Sequence, residues 1–133
     1  MSGELNVNSV NSEVVVELLE QVGTWTSEPI YTRGAKGIRV YFRLSGVPAS
    51  GTDTVTPKVL GVDEGNDQTD TILAGPALAR TAGVSTHVLR VYPGIAAVAN
   101  YAASDVLPSV IRLQVAHSGA SEWDYSLYYT LIF

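Results

Sequence analysis

THVLRVYPGIAAVANYAASDVLPSVIRLQVAHSG, residues Thr86 to Gly119, holds two alternating segments separated by an apolar connection with a proline near each end. In Thr86–Tyr92, His87, Leu89 and Val91 fall on one side and Val88, Arg90 and Tyr92 on the other. In Ser109–His117, Ile111, Leu113 and Val115 oppose Arg112 and Gln114. Successive strand residues point to opposite faces, so both segments read as half-buried strands. Between them, Ile95–Ala103 (IAAVANYAA) has alanines enough for one or two helical turns. Pro93-Gly94 before it and Asp105–Pro108 after it favour instead an irregular crossover between two sheets. Tyr92–Pro108 is too long and too apolar for a simple exposed loop, so it should pack on its own domain or on a partner.

The same alternation recurs on both sides of this stretch. Ile38, Val40, Phe42 and Leu44 oppose Arg39, Tyr41 and Arg43. The last segment sets Trp123, Tyr125, Leu127, Tyr129, Leu131 and Phe133 against Asp124, Ser126, Tyr128, Thr130 and Ile132. Val55–Asp63 and Thr69–Ala74, joined by the polar turn Glu64–Gln68, are spaced for an antiparallel hairpin, because a parallel crossover needs a dozen residues or more. Ala77–Ala82 could extend this meander. EVVVELLEQVG from Glu13 mixes leucines that suit a helix with three valines that suit a strand, and the strand is favoured. Thr24–Tyr31 is a further strand, placed at an edge or bulge by Pro29, which has no backbone N–H. About eight short strands without a long amphipathic helix predict an all-β fold, a single antiparallel β-sandwich of jelly-roll or immunoglobulin-like type.

The chain has 133 residues, which suits one core, assigned to 13–133 behind a flexible N-terminal arm, 1–12. The arm, MSGELNVNSVNS, is polar and without period, and reads either as terminal disorder or as a segment that orders on a neighbour. A net charge of -5 argues against tracking nucleic-acid phosphates, which needs a concentrated basic surface. No apolar run is long enough for a membrane span, and the lack of cysteine excludes disulfides and thiolate metal sites. The start of the chain lacks the charged and apolar blocks of a secretory signal, so synthesis in a bacterial cytoplasm is expected.

Chemical motifs are sparse. The turn VDEGNDQTD, Val62–Asp70, carries Asp63, Glu64, Asp67 and Asp70, but it lacks the spacing of an EF-hand and reads as a solvated turn, with a weak Ca²⁺ site as the alternative. His87 and His117 have no third ligand for zinc. G-x-S-x-G, the phosphate-loop pattern and H-E-x-x-H are all absent. No catalytic residue, metal site or cofactor is therefore expected, and the chain is read as non-enzymatic.

LRVYPG (Leu89–Gly94) and SDVLP (Ser104–Pro108), followed by an alternating strand, resemble a group of small β-sandwich proteins that decorate, or cement, the heads of tailed bacteriophages. The resemblance runs from about Glu13 to the end. It includes a strand like Gly37–Leu44, one like VTPKVLGVD (Val55–Asp63) where those proteins carry a K-I-Q-G-x-D pattern, and a closing YSLYYTLI (Tyr125–Ile132). Leu60 replaces a frequent Gln, and Gly75–Ser85 is longer than in the related sequences. The resemblance implies a virion structural protein on the outer capsid surface, a homotrimer bridging major capsid proteins. The competing reading is a carbohydrate- or protein-binding sandwich of a phage fibre or surface protein, resting on the aromatic last strand and the polar loops. Candidate subunit or capsid contacts are Leu5, Val7 and Val10 in the arm, Tyr92, Ile95, Val98 and Tyr101 along the crossover, and Tyr41 and Tyr128 opposite the core face of their strands.

Overall fold

Alternation along the strands sorts the side chains into two layers. The structure, a computed structural model, describes residues 12–63, 65, 66 and 68–133. Its strands are β1 (Ser12–Gln21), β2 (Trp25–Thr26), β3 (Ile30–Tyr31), β4 (Gly37–Gly46), β5 (Thr54–Asp63), β6 (Gln68–Ala74), β7 (Leu78–Ala79), β8 (Ser85–Val91), β9 (Ala102–Ala103), β10 (Val110–His117) and β11 (Trp123–Ile132). One sheet has the order β1-β11-β4-β8-β9. The other runs β2-β10-β5-β6, with β3 also on β10 and β7 also on β5. Every pairing between these strands is antiparallel except the short parallel contact of β9 with β8.

The two inner faces meet in one apolar core. Phe42, Leu44, Leu89, Trp123, Tyr125 and Leu127 from the first sheet pack against Val55, Val59, Ile111, Leu113 and Val115 from the second, all of them fully buried. All but Val55 and Val59 are residues that the period-two reading places on the core side of their strands. The fold is thus an all-β sandwich of two packed sheets.

Local chemistry explains where the strands depart from simple alternation. Pro29 divides the expected Thr24–Tyr31 strand into β2 and β3. In the gap, the buried Ser27 donates its backbone N–H to the Leu113 carbonyl (2.8 Å) and accepts the Leu113 N–H on its hydroxyl (2.9 Å). Arg112 donates to the Ser27 carbonyl at 2.7 Å, so the ladder is bridged by side chains where regular pairing lapses. Ala77–Ala82 forms only β7 and a short 3-10 turn, Arg80–Ala82. Phe133, expected on the core row, is 63% exposed because it lies beyond the last β11–β4 pairing, Ile132 with Gly37.

Leu113 is fully buried at the centre of β10. Leu113→Ala is expected to cost about 2–5 kcal/mol, because a cavity adds to the lost transfer energy. Urea unfolding should show a lower midpoint at unchanged slope, and an unshifted midpoint would contradict this core.

Candidate interaction surface

The crossover from β8 to β10 is built as a clamp. Its first turn is Tyr92-Pro93-Gly94-Ile95, closed by Ile95 N–H donating to the Tyr92 carbonyl at 3.3 Å, with Gly94 at φ 85°. Proline presets the second position of such a turn, and glycine takes the positive φ at the third without steric cost. Gly94 N–H then donates to Ser104 Oγ at 3.0 Å, which joins LRVYPG to SDVLP. Beside it, Arg90 N–H donates to the Tyr101 carbonyl (2.9 Å) and Tyr92 N–H to the Ala103 carbonyl (3.1 Å), so β9 lies along β8.

Other contacts tie the same segment to the second sheet. The Asn100 side-chain amide donates to the carbonyls of Ala74 (3.2 Å) and Gly75 (3.3 Å), at the end of β6. Leu107 is buried in the core. Thr32, itself buried, donates its hydroxyl to the Pro108 carbonyl at 2.8 Å and its N–H to the Ser109 carbonyl at 3.0 Å. What this leaves outside is apolar: Val98 is 52%, Tyr101 38% and Val106 73% exposed.

The crossover therefore carries Tyr92, Ile95, Val98 and Tyr101, with Tyr92 and Ile95 half-buried. Tyr41 and Tyr128 sit elsewhere, on the outer face of the first sheet, as cross-strand partners whose rings stack at 4.8 Å and 14°. Leu5, Val7, Val10 and the arm to Asn11 lie outside the described residues, and Ser12, assigned to the arm, is the first residue of β1. Val106 was not among the expected contacts, since nothing periodic marks it. Trp123, Tyr125 and Tyr129 are buried in the core, out of reach of a sugar ring.

Titratable groups gather at the opposite end of the sandwich. Asp53 accepts hydrogen bonds from the Ser121 hydroxyl (2.7 Å) and N–H (3.1 Å), and the hydroxyl bond is the main cause of a carboxyl pKa below its ordinary value. The Trp123 indole nitrogen is buried and makes no hydrogen bond among the described residues, although it lies near enough to Asp53 to favour the charged carboxylate. His117 Nε2 pairs with the Tyr125 hydroxyl at 2.8 Å, while its buried Nδ1 has no hydrogen-bond partner among the described residues. Burial pushes the His117 pKa down, opposed by the charge of Asp53, and burial also pushes the Tyr125 phenol up.

His87, on β8, pairs through Nε2 with Ser85 Oγ at 2.9 Å, and burial lowers its pKa. No carboxylate bonds its other ring nitrogen among the described residues. The Asp63 carboxylate is occupied by its own turn, accepting from Gly65 N–H (3.0 Å) and the Asn66 amide (3.1 Å). Glu64 and Asp67 lie outside the described residues, and among those described no group of three His, Cys, Asp or Glu is placed to hold a metal ion. Two open grooves, of about 530 and 260 Å³, carry acidic side chains: Glu20, Glu122 and Asp124 in the larger, and Asp63, Asp70 and Asp105 in the smaller. Neither a protein-family model nor a curated protein matches the chain.

Both histidines have pKa values lowered in the folded state, so the unfolded chain binds more protons once the pH drops below the free-histidine value of about 6.5. Stability is then fully present above about pH 6.5 and is lost as the pH falls toward the folded-state values. Thermal unfolding followed from pH 8 to pH 5 should show that decline, with a shallower slope in His117→Gln. A variant slope equal to that of the original chain would show that His117 is not held neutral.

Proposed function

We propose that the chain is a non-enzymatic virion structural protein that decorates and stabilises the outer surface of a tailed-phage capsid, bridging major capsid proteins as a homotrimer. In this reading the fold is a jelly roll. The order β1-β11-β4-β8 facing β2/β3-β10-β5-β6 supports it: the first and last strands are neighbours, and all but one of the links between these eight positions cross between sheets. An immunoglobulin-like sandwich groups its strands differently.

The observation that carries the functional reading is the bond between Gly94 and Ser104. It makes the two sequence fragments that resemble head-decoration proteins one structural device, a clamped crossover. Because Val98, Tyr101 and Val106 are presented on backbone already ordered, docking them costs less conformational entropy than ordering a loose loop. Exposed apolar residues on such a support suit a subunit or shell contact. A symmetric trimer then gains from effective concentration, since the second and third contacts follow the first within one particle. An acidic protein is also better suited to the outside of a DNA-filled shell than to its interior.

Deleting the gene should leave heads able to assemble but more easily ruptured by heat. Infectivity after a graded heat challenge measures this, and equal survival of deletion and parent particles would sink the proposal.

A further inference from the structure

The outer face of the first sheet has a composition unlike the rest of the chain. Its cross-strand pairs form three rows across β8, β4 and β11: Arg90–Arg39–Thr130, Val88–Tyr41–Tyr128 and Thr86–Arg43–Ser126, the last of which ends on the exposed Glu17 of β1. Three of the chain's eight Lys and Arg residues therefore surround one stacked tyrosine pair. Directly opposed like charges in a sheet destabilise it, yet Arg39 and Arg90 are direct partners. Among the described residues the Arg39 guanidinium reaches only the Tyr41 hydroxyl, at 3.5 Å, and that of Arg43 only Thr86 Oγ1, at 3.2 Å. In a chain of net charge -5, these cations sit together on one exposed face, and among the described residues no carboxylate is bonded to any of them.

We propose that this face docks a carboxylate-bearing surface of an acidic protein partner. Guanidinium groups bind carboxylates through paired, charge-assisted hydrogen bonds, and an incoming acid relieves the Arg39–Arg90 repulsion that the free sheet carries. The Tyr41–Tyr128 stack supplies a rigid amphipathic centre, and Tyr and Arg are the residue types that carry binding energy at protein interfaces. A nucleic acid fits less well, because three cations on an acidic protein give little counterion release and the remaining surface repels phosphate. The inference does not depend on the capsid reading, and holds for any acidic partner.

The test uses the full chain and a decaglutamate peptide at low salt, with binding mapped by amide chemical shifts. Shifts should centre on β4, β8 and the facing part of β11. Arg39→Glu/Arg90→Glu should weaken binding by about tenfold or more, whereas Lys58→Glu/Arg80→Glu, with the same change of net charge, should leave it intact. Arg90→Glu alone sets opposite charges across the ladder, so its Tm should rise while its peptide affinity falls, which separates lost binding from lost folding. Equal losses in the two double variants, shifts mapping elsewhere, a drop in Tm for Arg90→Glu, or tighter binding of ten-nucleotide oligo-dT on the same face would overturn the proposal. So would burial of the face by self-association, seen as a dimer or trimer in ultracentrifugation that Arg39→Glu/Arg90→Glu dissolves.

Discussion

The closure of the crossover onto both sheets is the constraint on which the rest of the structure depends. A segment that passes from one layer to the other exposes backbone polar groups that the core cannot solvate, and each needs a partner. Here the first half borrows β8, through Arg90 and Tyr92, and the second half borrows the buried Thr32 beside β3. Asn100 holds the middle against the end of β6, and Leu107 fills the core between. With β9 laid along β8, that edge of the first sheet is also partly covered, which limits uncontrolled strand pairing there.

Period-two alternation was sufficient to assign the inward faces of β4, β8, β10 and β11. Ile38–Leu44, Leu89–Val91, Ile111–Val115 and Trp123–Leu127 could all be read because each strand has one dry face and one wet face, a contrast that local sequence records. Pro29 was equally legible, since a missing N–H has the same effect in any sheet. Less visible were features set by residues far away in the chain. Ser27 and Thr32 are polar and look like surface residues, yet both are buried because their partners, Leu113 and Pro108, lie more than seventy residues on. The two-residue strands β7 and β9 depend wholly on their neighbours. For the same reason Arg39 and Arg90 each read as an outward-facing charge, while their pairing required the β4–β8 register.

Two surfaces of different character result. The crossover offers apolar side chains on clamped backbone, and the outer face of the first sheet offers guanidinium groups around a tyrosine stack. The aromatic residues of β11 divide accordingly: Trp123, Tyr125 and Tyr129 fill the core, and Tyr128 faces outward beside Tyr41. An apolar contact and a charged one on the same small domain suit a protein that meets two different neighbours, such as its own copies and the lattice beneath them.

The proposed decoration role is tested most directly by quantitative mass spectrometry of purified, DNA-filled heads from a phage that encodes this chain. The account predicts the chain in a fixed, simple ratio to the major capsid protein, retained through density-gradient purification. Its absence from such heads, or a trace amount that varies between preparations, would contradict it.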